Sequence, residues 1–583
     1  MHSANSQFTI HDKDMRFIEL AKYLEKLEST SSRIEITKIL AELFKQADEG
    51  EIDKIVYLVL GRLAPSYKGI VFNLADKLVI QSIAKAFDKD IDQVKKLSKE
   101  KGDIGEVASL LSNSKLKKTT NQKVNQIYNQ LLVVAELSGE GSVEAKVNGL
   151  AEILKSLDPL SAKYLARIPV GKLRLGFSDL TITDALSWME TGDKSLSKDL
   201  KKAYEVLPDI GLLAKHVKQM GAKKTALTIA PVVGVPVMPM LAQRVKSTAQ
   251  MVEKMGKVSV EPKYDGLRVQ IHFDNGKIHA FTRNLNDISL MFPELSKLGQ
   301  VTSSKRLILD AEAVGLDENT KKMADFQTTM TRRRKHDIAG SATKIPLVFN
   351  IFDIIFKDNQ SLITTVYSQR REILAKTIKE TDSFKITPFI TTSDPKKIDE
   401  KYKQYIAQGL EGIMVKKSDA IYKSGRTGFF WVKMKQAEGA TGKLADTIDC
   451  VVMGFTSGQG KRTVFGIGQF LAGVKKGNKI LTLTKVGTGL TDEQFQQLSK
   501  RLRLIKVDQR PDDYEVDKDL TPDFWVNPEV VVELAGDDLT KSPKHTSGYA
   551  LRFPRLVKFR DDKSPVQATT VEEVEKIYKL QFK

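Results

Sequence analysis

The segment Glu261-Pro262-Lys263-Tyr264-Asp265-Gly266-Leu267-Arg268 sets one lysine between two apolar runs, at a strand-to-turn junction. A lysine amine held rigidly there becomes a nucleophile once it loses its proton. A lysine free in water loses that proton at about pH 10.4, and nearby cations, a metal ion or partial burial lower that value. Gly266 lets the backbone approach a ligand closely. A plain surface turn would present the same Lys-x-Asp-Gly, so these residues alone decide nothing. The chain read onward adds Thr282-Arg283-Asn284, then Asp310-Ala311-Glu312 ending a strand, then Phe352-Asp353 after an apolar strand. Glu411-Gly412-Ile413-Met414-Val415-Lys416, Lys423-Ser424-Gly425-Arg426 and Trp431-Val432-Lys433-Met434-Lys435 follow. Far downstream stand Leu551-Arg552-Phe553-Pro554-Arg555 and Arg560-Asp561-Asp562-Lys563. Many cations with a few carboxylates suit a reaction that gathers negative charge on phosphate oxygens. Such chemistry needs charge and in-line positioning more than elaborate acid–base groups.

This ordered series resembles the motifs of the covalent nucleotidyltransferases, and most closely those of the ATP-dependent DNA ligases of the archaeal and eukaryotic replicative type. Leu551–Arg555 with the following Arg560-x-x-Lys563 is similar to the last motif of that family. Arg167-Ile168-Pro169-Val170-Gly171-Lys172-Leu173-Arg174-Leu175-Gly176 and Pro239-Met240-Leu241-Ala242 resemble its helical DNA-binding region, so the likeness spans nearly the whole chain. Ala311 stands where many relatives carry glycine, and Thr282 where serine is common. The resemblance implies that Lys263 takes AMP from ATP, passes it to the 5′-phosphate of a nick, and releases it when the 3′-hydroxyl attacks. It implies that Glu261 contacts the adenine edge, Phe352 stacks on the base, and Glu312 binds the ribose hydroxyls and, with Glu411, Mg2+. Arg268, Arg283, Arg426 and Lys433 would bind the nucleotide or nick phosphates. Lys416 and Lys435 would join Lys433 at the α-phosphate, and Arg552, Arg555, Arg560 and Lys563 would contact phosphates from the C-terminal domain. Arg62, Lys172 and Arg174 are the expected DNA-backbone contacts of the helical domain. The cofactors are ATP and Mg2+, with Mn2+ as the alternative ion. The partner is nicked duplex DNA. A sliding clamp is a candidate second partner, although no clamp-binding peptide stands out, and a monomer is expected.

The elements that must position these residues are legible as three textures. Phe17, Leu20, Leu24 and Leu27 recur at helical spacing, and amphipathic stretches follow at Ile52–Leu63, Asn73–Phe87, Asn125–Leu137 and Val143–Leu157. The basic stretch Ser114–Lys123 reads as an exposed connection. Beyond residue 222 come the β-rich runs Val258–Pro262, Leu267–Phe273, Ile278–Thr282, Leu307–Ala313 and Leu347–Phe352, with a hairpin turn at Asp274-Asn275-Gly276. Helical patterns return at Tyr367–Thr377 and Pro395–Gln408. In Trp431–Lys435 the period of two puts Trp431 and both lysines on one face. From residue 445, Ile448–Gly454, Gln469–Lys475, Lys479–Val486 and Glu529–Leu534 predict a small β-barrel. The expected fold is multidomain: an all-α DNA-binding domain over 1–222, an α+β adenylation domain over 223–444, and an all-β OB-fold barrel over 445–583.

Composition sets the outer limits. The 583 residues exceed one ordinary domain. A net charge of +19 favours a polyanionic partner without implying sequence specificity. The single cysteine, Cys450, makes no intramolecular disulfide or Cys-x-x-Cys zinc pair, which fits a reducing, intracellular compartment. The first residues lack the apolar core of a secretory signal, and no apolar run predicts a membrane span. Gly458-Gln459-Gly460-Lys461-Arg462 lacks the spacing and the hydroxyl residue of a phosphate-binding P-loop.

Overall fold

A computed structural model describes residues 14–112, 121–171, 173, 175–317, 323–324, 326–332, 338–435, 447–458, 465–487 and 490–581. Lys172, Arg174, most of the Ser114–Lys123 stretch, the expected boundary at 444/445 and all of Gly458–Arg462 but Gly458 lie outside the described residues. The chain divides into two compact units, Met1–Met434 and Lys435–Lys583.

The first unit begins with thirteen α-helices among the described residues, from Phe17–Glu28 to Ala222–Thr228, around one apolar core. Helix ends are set locally. Asp158 caps Pro159–Arg167 by accepting from the Leu160 and Ser161 amides, and Pro159 occupies the first turn, where its missing N–H costs nothing. Caps also tie helices together: Asp103 caps Ile104–Leu111 and accepts two bonds, 3.0 and 2.9 Å, from the buried Arg167. The helix predicted to Leu63 stops at Val59, because Gly61 takes a left-handed conformation with φ of 70°.

The rest of this unit is built, among the described residues, mainly on two antiparallel-rich sheets. Its strands are β1 (Val258–Lys263), β2 (Leu267–Asp274), β3 (Lys277–Thr282), β4 (Arg306–Gly315), β5 (Leu347–Lys357), β6 (Gly412–Lys417) and β7 (Trp431–Lys435). One sheet runs Ile390–Thr392, β1, β6, β7, Gln243–Arg244; the other runs β3, β2, β4, β5, Gln360–Ser361. Side-chain alternation decides which face each residue joins. In the first sheet Val258, Val260, Ile413, Val415, Val432 and Met434 pack outward on the helices Thr248–Met255 and Pro395–Ala407. In the second, Val269, Ile271, Leu307, Leu309, Ala311 and Ala313 pack outward with Leu374 and Ile378 of and after the helix Tyr367–Thr377. The residues between them in sequence must occupy the inner faces. A small apolar cluster of Ile308, Phe356, Trp431, Tyr422 and Met240, with Phe352 and Met414 against it, joins the two sheets there. Glu205 links this region to the helices: its carbonyl accepts from the Met238 amide at 2.9 Å.

In the second unit β8 (Ile448–Thr456) pairs with β9 (Gln469–Lys476), which pairs with β10 (Lys479–Val486). Then β11 (Val531–Ala535) pairs with β8, β12 (Asp538–Lys541) with β13 (Tyr549–Arg552), and β14 (Arg555–Phe559) with β11. Register shifts within β8–β9, β9–β10 and β11–β14 curl the sheet around one core containing Val452, Leu483, Val532 and Leu556. The helix Asp492–Leu504 follows β10, and its Leu498 and Leu502 enter that core.

Candidate active site

Lys263 ends β1 and its carbonyl accepts from the Glu411 amide at 3.0 Å, which brings the start of β6 beside it. The register pairs Lys263 with Gly412, Glu261 with Met414 and Ser259 with Lys416, so these side chains share the inner face. The Lys263 ammonium donates to the Glu411 carboxylate; both side chains are about one-fifth exposed, at 18 and 21%. Gly266 is needed in the turn that follows. A Cβ there would lie 2.5 Å from the Ala313 carbonyl oxygen and 3.1 Å from the Glu312 side chain. The turn therefore seats directly on β4, and Glu312 comes to bear on Lys263. Burial pushes the Glu312 carboxyl up to about 7; Lys263 and Arg268 oppose the rise, and Glu411 and Asp265 add to it.

On the same inner face, and more deeply buried, lies a second ion pair. Lys416 Nζ stands 2.7 Å from Glu261 Oε2, and each side chain is only 2% exposed. The Lys416 ammonium also lies 4.3 Å from the centre of the Phe352 ring, 4.4 Å from Trp431 and 4.9 Å from Tyr367. Burial pulls it below the usual lysine range, against the pull of Glu261. Lys416 sits with Glu261, not with Lys263, because its place on β6 is four pairs along from Gly412 and its side chain reaches back toward the Glu261–Met414 pair.

Arg268, on β2 opposite Glu312 of β4, donates to the Met240 carbonyl at 2.6 Å and to Asp310 at 2.8 Å. Its guanidinium lies 5.4 Å from the Phe352 ring centre and 5.6 Å from Trp431. It is therefore braced there by a buried carboxylate that Tyr422 also bonds, at 3.0 Å. Arg283 is exposed, on a tight turn in which the Leu285 amide donates to Thr282 at 2.8 Å and Leu285 has φ of 61°. With Arg268, Asp310, Gln270, Val237 and Pro239 it lines a second hollow. Lys433 and Lys435 are half-buried on β7, alternating with buried Val432 and Met434 as expected. Arg426 pairs through its backbone with Leu241; its side chain lies outside the described residues.

Three residues that sequence reasoning missed hold this arrangement. Tyr367, Arg370 and Arg371 share one helix face at spacings of three and four. Tyr367 donates to Glu261. Arg370 makes a two-pronged bond to Asp353, at 2.7 and 2.9 Å, and Arg371 donates to the Phe352 carbonyl at 3.1 Å. That spacing just after Phe352-Asp353 is the signal that could have found them.

The remaining expected residues have partners elsewhere. Arg62 is bonded to Asp179 within the helical region. In the second unit Arg560 contacts Asp449 at 3.0 Å and Lys563 contacts it at 2.6 Å, while Arg555 pairs with Asp537 at 3.0 Å and Arg552 stands 3.7 Å from Asp538. Phe553 projects between the last two arginines, 60% exposed.

A divalent ion can be tested against the donors present. Among the described residues no three His, Cys, Asp or Glu side chains gather as a ready cage. The Glu411 and Asp265 carboxylates nonetheless lie close enough to Glu312 to push its carboxyl up, beside Lys263. A pair of carboxylates is what Mg2+ requires when waters and phosphate oxygens complete its shell, so the donors fit. No helix among the described residues is long and apolar enough to cross a membrane.

Comparison with known proteins identifies the family. Residues 239–435 match the family pattern of an ATP dependent DNA ligase domain, 16–187 that of a DNA ligase N terminus, and 464–563 that of an ATP dependent DNA ligase C terminal region. The chain is 40% identical to a probable DNA ligase of Dictyoglomus turgidum, over 98% of each chain. It is 38% identical to a DNA ligase of Pyrobaculum islandicum, over 98% of this chain and 99% of the other. A solved structure described as Pmar-Lig_Pre. shares its fold, with a TM-score of 0.53, 19% identity, and coverage of 93% of this chain and 99% of that one.

Proposed function

The chain belongs to the ATP-dependent DNA ligase family, and we propose that it seals nicks in duplex DNA through an AMP group carried on Lys263. The observation that carries this assignment is the inner-face placement of Lys263 beside Glu411 and Glu312, with the Glu261–Lys416 pair more deeply buried on the same face.

The Lys263 ammonium first passes a proton to Glu411, its hydrogen-bond acceptor, and the neutral amine attacks the α-phosphorus of ATP. A nitrogen–phosphorus bond forms, the bond to pyrophosphate breaks, and the nitrogen's second proton leaves to solvent. An oxygen of the nick's 5′-phosphate then attacks the same phosphorus and displaces the lysine. Finally the 3′-hydroxyl attacks the activated 5′-phosphate, the phosphodiester forms and AMP departs. Glu312 and Glu411 would hold Mg2+, or Mn2+ in its place; the ion, when bound, supplies neutralisation of phosphate charge. Glu312 also faces the ribose. Adenine's edge offers an amino donor beside a ring acceptor. The Glu261 carboxylate and Lys416 ammonium offer the complementary acceptor and donor, with Phe352 supplying an aromatic face. Lys433, Lys435 and Arg426 serve the nucleotide phosphates. Arg268 and the exposed Arg283 serve the nick phosphate, for which a guanidinium's planar fork is suited.

Arg552, Arg555, Arg560 and Lys563 contribute phosphate contacts from the C-terminal domain, and Arg62, Lys172 and Arg174 contact the DNA backbone from the helical domain. The three domains are divided at 222/223 and 444/445. The enzyme works as an intracellular monomer, with a sliding clamp as candidate partner; the lone, buried Cys450 is in keeping with a reducing compartment. Incubation of a nicked duplex labelled at its 5′-phosphate with ATP and Mg2+ tests the reading. Joined product that requires ATP is expected. A chain that takes up AMP but leaves both a DNA nick and a nicked RNA–DNA hybrid open would overturn it.

A further inference from the structure

The Glu261–Lys416 pair is not held by its own two members alone. The Tyr367 hydroxyl donates to Glu261 Oε1, accepts from Lys416 Nζ at 3.2 Å, and lies 3.2 Å from the Phe352 carbonyl. One hydroxyl thus touches the acceptor, the donor and the backbone of the stacking residue. Tyr367 is itself immobilised. It is fully buried and opens the helix Tyr367–Thr377, and its amide donates to the Ala420 carbonyl at 2.8 Å. One turn on, Arg370 clamps that helix to Asp353 of β5.

Counting hydrogen-bond sites shows what this leaves for a ligand. An ammonium has three donors, and Lys416 uses two, on Glu261 and Tyr367. Each carboxylate oxygen accepts at about two sites, and each Glu261 oxygen has one described partner. A donor and an acceptor therefore remain, in a fixed order. Adenine presents an amino donor next to a ring acceptor. Guanine presents the reverse, a carbonyl acceptor next to a ring N–H. A carboxylate and an ammonium able to trade places would suit either base.

We infer that Tyr367 is a positioning residue for base selection: its hydroxyl fixes the order of the Glu261 acceptor and the Lys416 donor and so favours adenine over guanine. This rests on the reading that Glu261 and Lys416 meet the base edge. Tyr367→Phe keeps the ring and removes only the hydroxyl, so the packing against Trp431 and Arg370 survives.

The test is the rate of AMP or GMP loading onto the full chain, measured as kcat/KM with ATP, GTP and purine riboside triphosphate, which lacks the amino group. Tyr367→Phe should lower the preference for ATP over each of the other two about tenfold, the size expected for losing one bond to a charged group, and mainly through KM. Equal loss with all three nucleotides would assign Tyr367 to packing alone and overturn the inference. Glu261→Gln separates the two layers. If it abolishes the preference for ATP over purine riboside triphosphate while Tyr367→Phe leaves that preference intact, the positioning role falls and the base-edge reading stands. If Glu261→Gln changes no preference, both fall.

Discussion

Glu312→Gln should remove a pH-dependent weakness from the ligand-free protein. Burial near Glu411 and Asp265 raises the Glu312 carboxyl from 4.5 to about 7 in the folded chain. Unfolded chains therefore release this proton first, and between those two values the folded state holds more protons. Stability from this group is complete below the lower value and is lost as pH rises through the upper one. The full loss is about 3 kcal/mol, of which about 2 kcal/mol falls between about pH 5.5 and pH 8. Glutamine keeps the shape and cannot ionise. With EDTA present, urea unfolding should be followed by hydrogen-exchange protection in β4 and β5, since several domains need not melt together. Wild type should lose about 2 kcal/mol more than Glu312→Gln across that pH interval. Parallel pH profiles for the two proteins would refute the argument that Glu312 is held near neutrality by its surroundings.

Further outcomes follow from the same geometry. Lys416→Met strands the Glu261 carboxylate in a buried site and should cost about 3–5 kcal/mol by urea unfolding, with much of that restored in the Lys416→Met, Glu261→Gln double variant. Arg283→Ala should leave AMP loading within about twofold of wild type yet slow nick sealing more than about tenfold, because the exposed guanidinium serves the DNA phosphate; equal effects on both steps would move Arg283 to the nucleotide. Gly266→Ala forces a Cβ toward the Ala313 carbonyl and should slow AMP loading about a hundredfold by displacing Lys263, whereas normal loading would mean that the turn yields without moving the lysine. Glu411→Ala should weaken the apparent Mg2+ requirement constant for loading at least about tenfold, read from rates across a Mg2+ titration.

Much of the frame was legible because alternation is local. The β-rich runs around Lys263 and Glu312 lie where the sequence puts them, with ends shifted by a few residues, and the helix Tyr367–Thr377 matches its pattern. Alternation also assigned Trp431, Lys433 and Lys435 to one face. Strand register was not legible. Lys416 and Glu261 are joined by the pairing of β1 with β6, whose residues are far apart in sequence, and nothing in Glu411–Lys416 says how far along β1 its lysine falls. The same limit hid the partners of two arginines. Arg62 and Arg560 read as phosphate contacts in sequence, yet Asp179 and Asp449 meet them in the fold. Tyr367 escaped notice because a tyrosine opening a helix is ordinarily core; its bond to Glu261 depends on where that helix docks.

The most direct measurement is the site of covalent labelling. The chain is incubated with α-labelled ATP and Mg2+, denatured and digested, and the labelled peptide is identified by mass; a native portion is chased with nicked duplex DNA. AMP on Lys263, absent from Lys263→Ala and released as the nick closes, is the predicted result. AMP on another residue, or sealing that persists in Lys263→Ala, would contradict the account.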